Sequence, residues 1–270
     1  EFLKIHDADF GYSVPGLARF RVNVFRDMHG VGSVMRQIPE KVLTLEQLGM
    51  PKAVRELCDY PKGLVLVTGP TGSGKSTTLA AMIDNINKTR RTHIITLEDP
   101  IEFVHTSRLA LINQREVYSH TESFARALKA ALREDPDVVL VGEMRDLETI
   151  ALAIETANTG HLVLATLHTS TAISSIDRII NVFPHERQDQ VRSMLADNLR
   201  GVVSQSLLKK EGGGRIAALE ILMCNYAVAN LIREAKPEQI QTIMQTGKAR
   251  GNILLNEVLG NFVQQRLVTF

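Results

Sequence analysis

The fold is decided by one eight-residue stretch, Gly69-Pro70-Thr71-Gly72-Ser73-Gly74-Lys75-Ser76. It fits the pattern G-x-x-x-x-G-K-[ST], which is typical of a phosphate-binding loop, or P-loop. The apolar run before it, residues 64–68, predicts a buried strand, and residues 76–88 after it carry apolar side chains at helical spacing. We therefore predict a strand, a glycine loop and a helix. In that arrangement, backbone N–H groups and the positive end of the helix dipole bind phosphate oxygens.

Two side chains of this stretch have predicted roles toward a nucleoside triphosphate. Lys75 is expected to bind the β- and γ-phosphates, and Ser76 is expected to ligate Mg²⁺. The alternative is a glycine-rich turn before an ordinary core helix. The agreement of all eight positions and of both flanks favours the P-loop.

Composition narrows the class of protein. The chain has 270 residues, of which 44% are apolar and 23% charged, and this is typical of a globular protein. The formal net charge of +1 gives no indication of a nucleic-acid-binding surface. The two cysteines form no C-x-x-C pair, which excludes a four-cysteine zinc site. No apolar run reaches transmembrane length. The chain begins at Glu1 without a methionine, which predicts a truncated or processed beginning.

The pattern along the chain predicts three segments, residues 1–38, 39–62 and 63–270. The first is β-structure, in which residues 19–24 alternate strictly and place Arg19 and Arg21 on one face. A turn at residues 29–33 leads to a returning strand that carries Arg36. Taken alone, these arginines indicate a solvated strand face. The second segment is a connector with a short helix.

From Gly63 onward strands and helices alternate, which predicts an α/β fold with a mainly parallel sheet flanked by helices. Further predicted strands are residues 93–97, 138–141 and 162–167, followed by a β-hairpin at 206–222. Predicted helices are 122–133 (with a capping box of Ser119 and Glu122), 146–159, 172–181, 187–203, 226–234, 237–245 and 254–266.

Carboxylates follow two of the predicted strands. Residues 96–102 contain Glu98, Asp99 and Glu102, and we expect the second shell of Mg²⁺ to come from this set. The strand 138–141 resembles a Walker B strand and leads to Glu143, with Gly142 at the position where an aspartate is usual.

Glu143 is then free to act as the base that polarises water. Because ligands of parallel sheets lie beyond the carboxyl ends of the strands, Glu98, Glu143 and the P-loop should meet at one edge. Alternatively, some of these carboxylates cap helices, an interpretation that competes most strongly for Asp99 and Asp146.

Two histidines, His161 and His168, bracket the predicted strand 162–167. His168 should end a strand that lies beside the P-loop strand, where its imidazole could donate to a γ-phosphate. A structural role is the alternative for either histidine. A metal site is disfavoured because no second ligand stands at a usual spacing.

Four stretches now occur in a recognisable order: residues 69–76, 95–102 (an Asp box), 137–146, and 160–169 (a His box). Together they resemble the secretion ATPase superfamily of type II and type IV secretion. The greatest resemblance is to its pilus-retraction (twitching motility) branch and extends over nearly the whole chain from Val14. Absence of a four-cysteine zinc motif is consistent with that branch.

The resemblance implies a RecA-like P-loop NTPase core in a homohexameric ring, with residues 1–38 as the later part of a PAS-like N-terminal domain. It implies a mechanically coupled ATPase that uses ATP and Mg²⁺. Its implied partners are further copies of itself, an inner-membrane pilus platform protein and, indirectly, pilin. The implied location is cytoplasmic, peripheral to the inner membrane at the pilus base and without membrane insertion.

The resemblance also implies roles for individual residues. Arg19, Arg21 and Arg36 would reach the phosphates across the domain cleft, where a guanidinium offsets charge in the transition state. The implied catalytic set is completed by Glu143, Glu98, Glu102 and His168. Thr77 and His161 are added to the nucleotide-binding residues, and Ser76, Glu98 and Glu102 are the Mg²⁺ candidates.

One position departs from the family pattern. Retraction enzymes resemble A-I-R-N-L-I-R-E near the C-terminus, whereas residues 227–234 have Ala229 in place of the first arginine. This leaves two alternatives to a retraction motor. One is a paralogous secretion-type ATPase, and the other is a nucleotide-gated assembly module with little turnover.

Overall fold

A computed structural model describes residues 2–39 and 41–269. Its first part is an antiparallel three-stranded sheet in the order β1-β2-β3. The elements are α1 (Phe2–Ile5), β1 (Asp7–Val14), β2 (Ala18–Asp27) and β3 (Gly30–Ile38). The predicted turn at 29–33 is wrong, because Gly30 already pairs with Asp27 and only two residues connect β2 to β3.

The second part is a seven-stranded sheet in the order β10-β9-β4-β8-β7-β5-β6. All its neighbouring strands are parallel except β9 and β10. The strands are β4 (Gly63–Thr68), β5 (His93–Glu98), β6 (Leu111–Glu116), β7 (Val138–Val141), β8 (Leu162–Leu167), β9 (Leu199–Lys209) and β10 (Arg215–Met223). The predicted α/β class with a mainly parallel sheet is confirmed.

Helices cover both faces of this sheet. They are α2 (Lys52–Asp59), α3 (Lys75–Thr89), α4 (Phe124–Ala131), α5 (Leu147–Asn158), α6 (Ala172–Asn181), α7 (His185–Asn198), α8 (Tyr226–Arg233), α9 (Ile240–Thr246) and α10 (Leu255–Gln264). Short 3₁₀ turns are Pro237–Gln239 and Lys248–Arg250.

The core consists of two apolar layers separated by the sheet. Leu64 and Leu66 of β4 pack into the layer under α4 to α9. Val65 and Val67 pack into the opposite layer, under α2 and α3. Because successive strand side chains point to opposite faces, a strand covered on both sides must be apolar throughout. All six residues of β4 are buried, as predicted for residues 64–68.

Three local predictions are wrong. Strand β6 was not predicted, because its sequence Leu-Ile-Asn-Gln-Arg-Glu alternates weakly at the sheet edge. The helix predicted for 187–203 ends at Asn198, and Leu199 begins β9, which pairs with β4. The helix predicted from 122 begins at Phe124, since Ser123 caps it by accepting a hydrogen bond from the backbone N–H of Arg126.

The division into residues 1–38, 39–62 and 63–270 stays a prediction, as do the PAS-like and ring assignments. Residues 1, 40 and 270, which those ranges include, lie outside the described residues. Within residues 2–39 and 41–269, no helix combines the length and apolar character needed to cross a bilayer.

Candidate nucleotide-binding site

The P-loop connects β4 to α3 in the predicted arrangement. Gly69, Gly72 and Gly74 have φ angles of 143°, 78° and 91°, which glycine adopts without the steric cost of a side chain. Gly74 is the N-cap residue of α3, so the helix begins at Lys75. The first turn of a helix carries free backbone N–H groups and positive dipole charge, and here both lie at the loop. Pro70, Thr71 and Gly72 form its exposed tip, whereas Ser73 is buried.

Gln205 of β9 holds this loop from the neighbouring strand. Its Nε2 donates to the carbonyl oxygen of Ser73 at 2.7 Å, and its Oε1 accepts from Thr78 Oγ1 at 2.8 Å. A Cβ atom on Gly69 would lie 2.2 Å from the carbonyl oxygen of Gln205, and one on Gly74 would lie 2.8 Å from its Nε2. Two loop glycines are therefore required by contact with β9 as well as by their φ angles. Gln205 was not among the predicted site residues.

Lys75 is hydrogen-bonded to the P-loop backbone and lies near two carboxylates. Its Nζ donates to the carbonyl oxygens of Gly69 at 2.8 Å and Pro70 at 3.1 Å. Burial lowers the pKa of Lys75, while the negative charges of Glu143 and Glu102 oppose that shift. Ser76 and Thr77 follow in the first turn of α3 and are half-buried.

Glu143 lies between Arg145 and His168 just beyond β7. One carboxylate oxygen lies 2.7 Å from His168 Nε2, and the other lies 2.7 Å from Arg145 Nη2. Burial alone would raise the pKa of Glu143, but Arg145 and His168 outweigh burial and lower the pKa below its ordinary value. The carboxylate is therefore ionised at neutral pH, as a base must be. Arg145 was not among the predicted site residues.

Gly142 has a steric reason to replace the usual Walker B aspartate. A Cβ atom at this position would lie 3.0 Å from the carbonyl oxygen of Leu97 and 3.3 Å from Cα of Glu98. The backbones of β7 and β5 therefore approach too closely here for an unstrained side chain. The nearest carboxylate to this strand end is therefore that of the next residue, Glu143.

Glu98 and Glu102 of the Asp box have different surroundings. Glu98 accepts hydrogen bonds from Thr96 Oγ1 at 2.6 Å and Gln114 Nε2 at 3.2 Å. Burial raises the pKa of Glu98, and these bonds, with one from the backbone of Glu102, only partly offset the shift. Glu102 is half-buried and is near enough to Lys75 to influence its pKa. Of the two, Glu102 is the one whose charge influences the pKa of the P-loop lysine.

Gln114 and Asn87 anchor the long segment between β5 and β6, and neither was predicted. Gln114 Nε2 donates to the carbonyl oxygen of Phe103 at 2.8 Å, and its Oε1 accepts from the backbone of His105 at 2.7 Å. Asn87 of α3 donates to the carbonyl oxygen of Thr106 at 2.9 Å. The helix that follows the P-loop therefore also holds the segment that carries Glu102.

The alternative that Asp99 and Asp146 cap helices is right for Asp146 and wrong for Asp99. Asp146 caps α5, since its carboxylate accepts from the backbone and the hydroxyl of Thr149, each at 2.8 Å. Asp99 caps no helix, because the next helix begins only at Phe124. Burial raises the pKa of Asp99, and the charge of Arg145 opposes that shift.

The three arginines of the small sheet differ in their distance from the Asp box: Arg19 and Arg21 lie near it, and Arg36 is exposed. Arg19 Nη2 lies 3.4 Å from Glu116 Oε2, and with Glu102 it lines a cavity of about 270 Å³. Arg21 pairs with Asp9 at 2.6 Å, and Glu102 and Asp99 are near enough to raise its pKa further. Arg36 stands opposite Arg21 in the β2–β3 register and is exposed.

The two histidines lie at opposite ends of β8. His168 follows the carboxyl end of β8, which lies beside the P-loop strand as predicted. There it contacts Glu143. His161 precedes the amino end of β8, where its Nδ1 lies 3.0 Å from the carbonyl oxygen of Thr156. Six strand residues separate them, or about 20 Å. The structure therefore corrects the prediction for His161, which does not reach the nucleotide site of its own chain.

The described residues contain no group of three or more histidine, cysteine, aspartate or glutamate side chains arranged to hold a metal ion. The chemistry of the predicted donors nevertheless fits Mg²⁺. A P-loop magnesium ion uses one hydroxyl, which Ser76 offers, and takes its other ligands from phosphate and water. Glu98 and Glu102 would then act through water.

The buried strand β4, the glycine loop and the helix that begins at Lys75 define a P-loop nucleoside triphosphatase. Its acidic residues Glu143 and Glu102 lie near enough to influence the pKa of that lysine. Residues 7–268 match the family described as "Type II/IV secretion system protein", and the chain belongs to that family. The chain is 55% identical over 269 residues to the protein of Pseudomonas aeruginosa described as "Type IV pilus retractation ATPase PilT". That match covers 100% of this chain and 78% of the relative.

A "Twitching motility protein" of Neisseria gonorrhoeae is 56% identical over 263 residues, which are 97% of this chain and 70% of that protein. A crystal structure described as the pilus retraction motor PilT with bound ADP superposes with a TM-score of 0.94 at 50% identity. It covers 100% of this chain and 77% of that one. The predicted resemblance to the pilus-retraction branch is confirmed, and the chain is an ATPase of that type.

Proposed function

We propose that this chain is one subunit of a homohexameric motor that hydrolyses ATP to ADP and phosphate and withdraws pilin from the base of a type IV pilus. One observation supports the proposal that the chain hydrolyses ATP. The carboxylate of Glu143, just beyond β7, lies 2.7 Å from His168 Nε2 and 2.7 Å from Arg145 Nη2. A site that only binds nucleotide has no need of an ionised carboxylate held by an arginine and a histidine beside its P-loop.

Each group has a role in this chemistry. The loop N–H groups and Lys75 hold the β- and γ-phosphates, and Ser76 would hold Mg²⁺, which supplies charge neutralisation when bound. Glu143 accepts the proton of the attacking water. His168 contacts Glu143 and would orient its carboxylate. The same imidazole would donate to the γ-phosphate. Glu98 and Glu102 would help to hold the Mg²⁺ ion through water.

Arginines of the small sheet complete the proposed site. Arg19 and Arg21 lie next to the Asp box, and a guanidinium there would offset negative charge that develops on the phosphate. Arg36 is the outermost of the three and would act only after the small sheet moves against the core. Such a movement, coupled to hydrolysis, is how ring subunits would change shape in turn.

The proposed partners and location follow from the family. The ring would act on a platform protein of the inner membrane from the cytoplasmic side, as a peripheral protein at the pilus base. Pilin would be affected indirectly, and neither nucleic acid nor membrane insertion has a part in this proposal. A net charge of +1 accords with the absence of a nucleic-acid partner.

A nucleotide-gated assembly module with little turnover is the second candidate, and Ala229 is the observation that favours it. This residue lies in α8, is partly buried and packs against the main core layer. In the family pattern this position of α8 carries an arginine, and in this chain that arginine is absent. The active-site carboxylates favour the motor over this module.

The test measures the ATPase rate against protein concentration, with molecular mass by light scattering, in the presence and absence of ATP and Mg²⁺. We expect a hexamer whose rate per subunit rises as it assembles, because the exposed Arg36 would reach the site only when the small sheet moves against the core. A monomer that binds ATP with negligible turnover would overturn the motor in favour of the module.

A further inference from the structure

A buried carboxylate at the end of β6 has no part in the chemistry above. Glu116 is only 6% exposed, and a buried charge is stable only when it is paired and hydrogen-bonded. Its Oε2 accepts from the backbone N–H of Ile101 at 3.0 Å, and its Oε1 accepts from Ser119 Oγ at 2.8 Å. Its own backbone N–H donates to His120 Nδ1 at 2.9 Å. Glu116 is therefore fixed from three sides on the ATPase sheet.

The fourth contact crosses to the small sheet. Arg19 Nη2 lies 3.4 Å from Glu116 Oε2, the same oxygen that binds the backbone of Ile101. The Arg19 side chain is 23% exposed, and its Nε is buried with no hydrogen-bond partner among the described residues. A guanidinium has five N–H donors, so one long contact leaves most of them available to a second oxyanion.

Gly11 of β1 makes room for this pair. A Cβ atom at Gly11 would lie 2.6 Å from Arg19 Nη2 and 3.4 Å from Glu116 Oε2. Gly11 pairs with Arg21 in the middle of an ordinary antiparallel ladder, so no turn requires glycine here. The space above Gly11 is filled by the guanidinium of Arg19.

We infer that Glu116 is the positioning residue for Arg19. Its carboxylate holds the guanidinium beside the Asp box while it fixes the backbone of Ile101, one residue before Glu102. Arg19 and Glu102 line the same cavity of about 270 Å³. Glu116 thus sets the placement of a small-sheet arginine relative to a carboxylate of the ATPase sheet. The inference rests on the proposed role of Arg19 toward phosphate.

The first test is Glu116→Gln in the full chain. Glutamine keeps the shape and an oxygen for the backbone of Ile101, but it lacks the charge that holds Arg19. We expect kcat to fall about tenfold, with KM for ATP changed less than twofold, because Arg19 is misplaced in the transition state while the P-loop stays intact. The matched control is Glu134→Gln, which removes a surface ion pair with Arg115 and should keep the parent kcat.

A double-mutant cycle distinguishes positioning from a merely structural role. Arg19→Gln should lower kcat by about 100-fold, the scale of a lost charge-stabilising donor. Adding Glu116→Gln should then cost nothing more, since residues that act as a unit are not additive. Independent costs that multiply in the double variant would contradict the inference.

Gly11→Ala gives a second route, in case Glu116→Gln does not fold. It leaves every hydrogen bond of Glu116 to the ATPase sheet in place and displaces only the guanidinium, so the same fall in kcat is expected. If Arg19→Gln keeps the parent kcat, the proposed role of Arg19 fails and the inference falls with it. If Arg19→Gln lowers kcat but folded Glu116→Gln and Gly11→Ala do not, the inference alone is overturned.

Discussion

The side-chain amide of Gln205 donates to the carbonyl oxygen of Ser73 at 2.7 Å, although the two residues are 132 positions apart in the sequence. Its oxygen accepts from Thr78 of α3 at 2.8 Å. One buried amide on β9 therefore holds both the P-loop and the helix that follows it. Nucleotide affinity should consequently depend on a residue outside the P-loop motif.

Gln205→Met should weaken ADP binding about tenfold, because methionine has a similar length but can make neither hydrogen bond, and a lost buried bond costs about 1–2 kcal/mol. Titration with a fluorescent ADP analogue measures this. Gln37→Met, at an exposed position of β3, is the control. An unchanged Kd in a folded Gln205 variant would show that the amide supports only packing.

Lys75→Ala and Glu143→Gln should fail at different steps. The lysine variant should lose most ATP affinity, since its ammonium holds the phosphates. The glutamine variant should bind ATP with near-parent affinity and hydrolyse it at least about 100-fold more slowly, since the amide cannot accept the proton. Equilibrium binding and phosphate release are measured on the same samples. A parent rate in Glu143→Gln would refute the assignment of the base.

The pH dependence of hydrolysis should respond to Arg145. Its guanidinium lowers the pKa of Glu143, so Arg145→Gln removes a stabiliser of the ionised form and raises that pKa. The acid limb of kcat/KM should therefore move to higher pH. Arg126→Gln, which removes a comparable ion pair with Glu122 on the surface, should leave the profile in place. Overlapping profiles of the Arg145 variant and the parent enzyme would refute this prediction.

Gln114→Leu should loosen the Asp box. The substitution leaves the carbonyl oxygen of Phe103 and the backbone N–H of His105 without their partner and should destabilise the chain by about 1–3 kcal/mol. Hydrogen exchange should rise in residues 99–110 before it rises in β4. Gln241→Leu, at an exposed position of α9, is the control. Uniform exchange changes throughout the sheet would argue against a local anchor.

Much of the site could be predicted because its parts are local in sequence. The P-loop requires glycine φ angles, a lysine at the first helical position and an apolar strand before it, and all these lie within twelve residues. The same holds for Asp146 at the start of α5. His161 shows where this reasoning fails, because a motif shared with His168 does not say that the two side chains lie at opposite ends of one strand.

The buried strands of the parallel sheet, the P-loop, the acidic strand ends and the family could all be predicted from residue order, because backbone sterics and side-chain periodicity act over a few residues. Three contacts became visible only in the folded chain: Gln205 holds the loop, Arg145 and His168 flank Glu143, and Glu116 contacts Arg19. These contacts depend on strand order and on packing between segments far apart in the chain. Strand β6 illustrates this point. Its apolar and polar residues alternate only weakly, and it is a strand because it pairs with β5.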